Sequence, residues 1–399
     1  MLPPILLTRS HDSRRQTLAE YRAEGGYQTL DQDLSGEAMV AALERANLRG
    51  RGGAAFPVAR KWAIAKAAQA AQKHFVANGG EHEPGSQKDR FLLARYPHKV
   101  LEGLLLGMRA TGAGPGWLYV IEDMHEQVAA LEAAIQELRG IGIVADLRIH
   151  KAPTTYVAGE ETAALSSIEG KPAKPRKKPP YPGEAGIDGL PTTVNNVETL
   201  AHVPWILRYG ADAYRRIGRG SSQGTLLCTL PENVNRPGVH EVEFGTTFRA
   251  LLAYQGGSLR SGRAVRALLP AMSSGWIDGT ELDTPIDHDS LRAIGSSPGC
   301  AGITLVEDGE DPLPRVLAIA EFFMREQCGQ CPPCRMETNQ IVHVWKGVLA
   351  GKGGDFAGAI AKVTAFANKK GFCSLIEMAA APALSALRVF GRELAAQAT

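Results

Sequence analysis

The chain has 399 residues, with 44 Lys and Arg against 42 Asp and Glu and a net charge of +2. This near balance points neither to nucleic acid nor to an acidic surface as partner, and the length exceeds one ordinary core, so two or three domains are expected. Six cysteines, four of them in one pattern, argue against a secreted disulfide scaffold, and no apolar run is long enough for a membrane span or a signal peptide, so the expectation is a soluble protein of the reducing cytoplasm.

Residues 1–35 are polar and weakly patterned. Ser35 opens a capped amphipathic helix over 35–48, which runs into the glycine loop Arg49-Gly-Arg-Gly-Gly-Ala-Ala-Phe-Pro57. A second helix is expected over 60–71, a strand over 74–78, and then the polar loop Gly79-Gly-Glu-His-Glu-Pro-Gly85. Helix resumes through Leu92 and again over 99–110; strands follow at 117–121 and 146–150 around a helix at 126–138. Strands alternating with helices predict a mostly parallel sheet covered on both faces, with ligands bound beyond the carboxyl ends of strands, where Asn78 lies. The run Lys171-Pro-Ala-Lys-Pro-Arg-Lys-Lys-Pro-Pro-Tyr-Pro182 reads as a basic loop stiffened by proline. Short strands at 224–230 and 238–244 and a helix at 247–254 predict a small α+β module, and four helices from residue 312 onward predict a helical bundle. There is no internal repeat.

The strongest chemical signal is Cys328-Gly-Gln-Cys-Pro-Pro-Cys334 with Cys373 downstream. Three closely spaced thiolates and a fourth from another segment are what a 4Fe–4S cluster requires. A zinc site, which usually pairs its ligands two and two, and inert thiols remain as alternatives. Cys228 and Cys300 read as small buried hydrophobes. The loop carrying Gly50, Arg51, Gly52 and Gly53 lets backbone N–H groups approach an anion, with Lys61 as a mobile positive charge and Phe56 as a stacking surface. It is neither a Walker loop nor the usual dinucleotide fingerprint. Three further groups stand out: Asn78 with Glu81, Glu83, Lys88, Asp89 and Arg90; Tyr156-Val-Ala-Gly-Glu-Glu-Thr162; and Thr192-Thr-Val-Asn-Asn-Val-Glu198. Singly, these read equally well as a charged loop, surface carboxylates and a turn.

In this order, and followed by the cysteines, they resemble the NADH- and flavin-binding subunit of respiratory complex I and its relatives in NAD-linked hydrogenases and formate dehydrogenases. The resemblance runs from about Asn47 to the end. Its motifs are Leu48-Arg-Gly-Arg-Gly-Gly-Ala, Glu83-Pro-Gly with Lys88-Asp-Arg, Gly159-Glu-Glu-Thr, Lys178-Pro-Pro-Tyr-Pro, Val194-Asn-Asn-Val-Glu-Thr and the cysteine triplet. The resemblance implies an α/β domain binding FMN and NADH over 1–220, a ubiquitin-like soluble-ligand-binding module over 221–307, and a helical 4Fe–4S domain over 308–399. It implies that the glycine loop, Lys61, Asn78, Asn195 and Asn196 hold FMN. Phe56 would lie beside the NADH adenine, Glu81, Glu83, Glu161, Lys178 and Tyr181 would line the NADH side, and Tyr156, Gly159 and Glu160 would be cofactor-binding as well. Cys328, Cys331, Cys334 and Cys373 would hold the cluster. The sequence departs from the family pattern at Gly80, where an aspartate is usual, at Ala55 and Ala59, where glycines are, at Ile64, where an aromatic is common, at Ala158, where a cysteine is, and in Ser374-Leu-Ile after the last cysteine.

The implied activity is that of a diaphorase-type, NADH:acceptor oxidoreductase. NADH gives a hydride to the flavin, with Glu161 nearby and no side chain acting as nucleophile, and single electrons pass to the cluster. The expected partners are a thioredoxin-like 2Fe–2S subunit and a further oxidoreductase subunit. Two alternatives stand beside this: the same port run in reverse, reducing NAD+, and a cluster-bearing docking scaffold without flavin.

Overall fold

The computed structural model describes residues 4–8, 14–391 and 393–394. Three helices, α1 (Leu18–Ala23), α2 (Gly36–Arg45) and α3 (Val58–Ala67), precede strand β1 (His74–Asn78). After it come α4 (Lys88–Arg95), α5 (Pro97–Thr111), β2 (Gly116–Ile121), α6 (His125–Gly140), β3 (Leu147–Ala152), α7 (Glu161–Ile168), β4 (Thr192–Asn196), α8 (Val197–Tyr209) and α9 (Ala211–Arg215). The four strands form one parallel sheet in the order β3-β2-β1-β4.

That order fixes the site. The chain leaves β1 toward β2 on one side and later returns to lay β4 on the other, so β1 and β4 flank the point where strand order reverses. Ligands of open parallel sheets bind beyond the carboxyl ends of strands at such a point. Asn78 ends β1 and pairs in register with Asn196, which ends β4.

The sequence explains most of these elements. Ser35 caps α2, accepting a hydrogen bond from the Ala38 N–H at 3.2 Å. In α5 every residue except Arg109 is buried, and it crosses α8 so closely that a Cβ on Gly103 would overlap the Leu200 carbonyl. Phe75, Leu104, Leu118, Leu131 and Leu200 share the resulting core. Helix α8 carries no amphipathic signal because Val197 through Ile206 are all buried, and Pro204 lies inside it.

Beyond α9, strands Thr225–Leu230 and Gly238–Glu243 pair antiparallel, and Val265–Leu269 lies between Ile277–Asp278 and Thr304–Glu307 in a three-stranded antiparallel sheet. They enclose a separate core around Leu226, Phe248, Leu252, Leu268 and Ile277. The expected helix at 247–254 is Phe248–Ala250 continued by a wider turn over Leu251–Gln255. The last part consists of helices Leu313–Glu326, Pro332–Leu349, Phe356–Ala367 and Leu375–Val389, sharing a core that includes Phe323, Ile341, Trp345 and Phe390. The second of them starts at Pro332, because proline suits the first helical turn, where no N–H is needed. Among the described residues, no helix is long and apolar enough to cross a membrane.

Candidate functional site

The glycine loop closes on itself through a hydrogen bond from the Gly50 N–H to the Phe56 carbonyl at 3.0 Å and a bridge between Arg49 and Pro57. Gly53 takes φ +98°, and Ala55 takes φ +52°. The loop then runs directly into the N-terminus of α3. It presses on the end of β4, since a Cβ on Gly52 would stand 3.2 Å from the Asn196 Cβ. Arg51 is turned inward. Its guanidinium donates to Thr225 O (2.9 Å), Gln223 O (2.7 Å), Arg49 O (2.8 Å) and Tyr214 Oη (3.0 Å), so its side chain ties the loop to the antiparallel module. Phe56 is 41% exposed, with Lys61 Nζ 5.8 Å from its ring centre.

The paired amides are engaged by protein groups. Asn195 Oδ1 accepts from Trp62 Nε1 at 2.8 Å. Asn196 caps α8 through the Glu198 N–H at 3.0 Å and donates to Asp89 Oδ2 at 2.7 Å. Asn78 Nδ2 donates to the Gly159 carbonyl at 3.0 Å, while its Oδ1 accepts from the Gly80 N–H at 3.0 Å. Beneath them Lys88, 2% exposed, bridges Asp89 (2.8 Å) and Glu198 (2.9 Å). Burial disfavours its charge, but the two carboxylates outweigh that and hold its pKa well above the usual value.

Four charges of alternating sign line the outer wall. Lys61 Nζ donates to Glu161 Oε2 and to the Val194 carbonyl, both at 2.9 Å. Lys178 Nζ donates to Glu160 Oε1 at 2.9 Å and approaches Glu161 Oε1 at 3.5 Å. Glu160 also caps α7, accepting from the Thr162 and Ala163 N–H groups. Burial opposes the ionisation of Glu161, but the two ammoniums prevail and hold its pKa below the usual carboxylate range. Tyr181 is 57% exposed on the same proline loop.

Glu81 and Glu83 are less free than the sequence suggests. Glu81 accepts from Ser86 Oγ (2.5 Å) and from the Asp89 and Arg90 N–H groups, so it caps α4. Glu83 accepts from the Met272 N–H (3.0 Å), Ser273 Oγ (3.1 Å) and Tyr156 Oη (3.3 Å), and burial raises its pKa. Residues given no binding role from the sequence also stand here: His82, Thr199, whose hydroxyl accepts from the Arg51 N–H, and Cys300, whose Sγ lies 3.7 Å from where a Gly53 Cβ would be. Lys88-Asp-Arg is the one signal that points to the buried ion pairs.

The four cysteines meet at helix ends. Cys331 and Cys334 sit at the N-terminus of Pro332–Leu349 and Cys373 just before Leu375–Val389, where helix dipoles favour negative charge. All four line one recess with Val157, Gly329, Phe372 and Ile376. The Phe372 N–H donates to Cys331 Sγ at 3.3 Å, and Gln330 Nε2 donates to Cys328 Sγ at 3.5 Å. Burial, reinforced by the neighbouring thiols, pushes Cys334 up to about 12 and Cys373 to about 11. A cationic core bound among these thiols would favour their thiolate forms. Among the described residues, no three of His, Cys, Asp and Glu converge on a single metal ion. The recess gathers three thiols from one segment and a fourth from another, the ligand supply that a 4Fe–4S cluster requires.

One turn of 3-10 helix, Tyr156–Gly159, separates the two sites. Gly159 holds Asn78 at the crevice, while Val157 lines the cysteine recess. The Tyr156 ring packs edge-on to Phe322 at 5.1 Å, and its N–H donates to Glu326 Oε2 at 3.1 Å. Gln330 Nε2 also donates to Pro175 O at 2.9 Å, joining the cysteine loop to the basic loop.

Comparison with known proteins agrees with this arrangement. The Nuo51 FMN-binding domain family matches residues 43–205, and the iron–sulfur binding region of NADH-ubiquinone oxidoreductase-F matches 315–397. The chain is 38% identical to the second F-type subunit of NADH-quinone oxidoreductase in Rhizobium meliloti, over 88% of this chain and 87% of that one. It is 33% identical to the F-type subunit of the Escherichia coli enzyme, over 98% and 92% respectively. A crystal structure of an NAD+-reducing nickel–iron hydrogenase superposes with a TM-score of 0.85 at 30% identity, covering 97% of this chain and 67% of that one. With its FMN-binding domain followed by a 4Fe–4S region, this chain belongs to the family of F-type subunits of NADH-quinone oxidoreductase.

Proposed function

We propose that this protein is the electron-input subunit of a larger redox complex, oxidising NADH through FMN and passing electrons one at a time to a 4Fe–4S cluster. The observation that carries this reading is the Tyr156–Gly159 turn, which borders the crevice at the end of β1 on one side and the cysteine recess on the other. When bound, the flavin supplies the conversion of a hydride into single electrons, which the cluster accepts.

The chain's own residues bind, orient and exclude water. The loop around Gly50, Gly52 and Gly53, with Lys61 as a nearby positive charge, would hold the flavin through its anionic group. Asn78, Asn195 and Asn196 hold the walls at the ends of β1 and β4. Phe56 offers a stacking face to the adenine, while Glu161, Lys178 and Tyr181 border the dinucleotide, with Glu160 fixing Lys178. Glu83 and Tyr156 keep the crevice closed on the cluster side. Arg51 and Glu81 act through the loops they tie down. Cys328, Cys331, Cys334 and Cys373 ligate the cluster.

The finer architecture goes with this reading: an FMN- and NADH-binding domain over 1–220, a ubiquitin-like module over 221–307, a helical bundle over 308–399, and a thioredoxin-like 2Fe–2S subunit as partner in the cytoplasm. A second reading, the same port reducing NAD+, is favoured by the likeness to the NAD+-reducing hydrogenase. The test is anaerobic purification, followed by flavin and iron analysis and turnover with NADH and an artificial one-electron acceptor. FMN, about four irons per chain and turnover are expected. A protein with iron but no flavin is the docking scaffold instead. Reduction of the bound cluster by the co-purified partner's substrate, with NAD+ as acceptor, decides the direction of flow.

A further inference from the structure

His82, in the loop after β1, is used by none of the roles above. Its ring is wedged between two glycines. A Cβ on Gly80 would stand 3.1 Å from His82 Nε2, and one on Gly159 would stand 3.0 Å from Cδ2. Nδ1 lies 3.4 Å from the Thr154 carbonyl, an approach that assigns the ring proton to Nδ1 and leaves Nε2 a bare acceptor. Nε2 is buried and has no hydrogen-bond donor. Burial also drives the imidazole pKa down to about 4, so the ring is neutral at working pH. A buried acceptor without a donor is costly, and few persist in native proteins without a partner or a use.

The ring also lines a cavity of about 250 Å³ with Glu81, Glu83, Ser86 and Arg90, opening beside the end of β1. The wall it leans on, Thr154 to Gly159, leads through Glu160 into Glu161, the carboxylate assigned above to the dinucleotide rather than to the flavin.

We propose that His82 is a positioning residue of the dinucleotide site, whose ring rotates as NAD(H) enters so that Nε2 accepts a hydrogen bond from an N–H or O–H donor of the dinucleotide. Phosphates present only acceptors and cannot satisfy it, so the donor is the nicotinamide carboxamide, the adenine amino group or a ribose hydroxyl. The same geometry accounts for Gly80. A side chain there would press on Nε2, on Tyr119 Cε1 (3.0 Å from the added Cβ) and on Asn78 Oδ1 (3.1 Å), so residues 80 and 82 act as a pair. This inference rests on the functional reading above.

The experiment is calorimetric titration of the flavin-loaded protein with NAD+, with bound flavin measured by absorbance for each variant. His82→Ala is expected to weaken NAD+ binding about tenfold with the flavin-to-protein ratio unchanged. His82→Asn, which keeps a side-chain acceptor, is expected to recover most of that loss. Gly80→Ala is expected to weaken binding in the wild type and to lose only part of that effect in the His82→Ala background, because the added Cβ still meets Tyr119 and Asn78. Unchanged affinity in His82→Ala, or equal losses in the Ala and Asn variants, would overturn the proposal. Flavin lost from His82→Ala would move the residue to the flavin and overturn it as well. A wild type that holds flavin but binds no NAD+ fails the dinucleotide reading itself, together with this inference.

Discussion

Glu161 is held between two cations, with Lys61 Nζ at 2.9 Å from one carboxylate oxygen and Lys178 Nζ at 3.5 Å from the other. This pinning keeps Glu161 ionised and keeps it in the crevice wall. A carboxylate there accepts hydrogen bonds from free ribose hydroxyls and repels the 2′-phosphate of NADPH. Glu161→Gln removes the repulsion and breaks the ion pair of Lys61, while Lys178 stays paired with Glu160 at 2.9 Å. The ratio of kcat/KM for NADPH over NADH is expected to rise about tenfold. Steady-state kinetics with both cofactors checks this, and an unmoved ratio counts against the assignment.

The cluster ligands give a second prediction. Each of Cys328, Cys331, Cys334 and Cys373 changed to Ser should lower the iron content of anaerobically purified protein and bleach its visible cluster absorption. FMN should remain bound, because the glycine loop and Lys61 lie on other elements. Stoichiometric zinc in the wild type would overturn the ligand assignment.

Lys88 lies under the site, 2% exposed, between Asp89 and Glu198. Lys88→Met leaves two buried carboxylates facing each other without their cation. Breaking a buried pair in this way costs about 3–5 kcal/mol. Urea unfolding should show the midpoint falling accordingly, whereas Arg90→Ala, which breaks only the exposed pair with Asp123, should change little.

Glu337 is fully buried in the helix after the cysteines, neither oxygen has a partner, and burial followed by the charge of Glu377 raises its pKa from 4.5 to about 8. In this window the folded state keeps the proton and the unfolded chain releases it. Its effect is therefore absent at low pH and becomes a loss of stability as pH rises from about 4.5 to about 8. Glu337→Gln stays neutral throughout. The Tm of the variant should pull ahead of wild type between pH 5 and 8, measured on cluster-loaded protein in both cases.

Much of the fold is legible in the sequence where one face of an element meets water. Helix α2 with its Ser35 cap and strand β1 between polar loops fall where pattern and turn chemistry put them. Helices α7 and α8 and strand β4 leave no such trace, because burial on all sides erases periodicity. The candidate site residues stand out as a set, but their division of labour is hidden. Whether a carboxylate such as Glu81 faces a ligand or caps a helix depends on where the chain folds back, and no spacing in the sequence encodes that. His82 gives no signal for the same reason, since its significance lies in two glycines, one of them 77 positions further along the chain.

Arg51 bears on how this protein can be dissected. Two of its acceptors, Gln223 O and Thr225 O, lie just past residue 220, where the sequence led us to expect the first domain to stop. A fragment trimmed at that border would keep the guanidinium, 5% exposed in the whole chain, yet lose the carbonyls that neutralise its hydrogen-bonding demand. Flavin-binding fragments made for crystallography or biosensor work should therefore extend through the Gly238–Glu243 strand, which closes that hairpin.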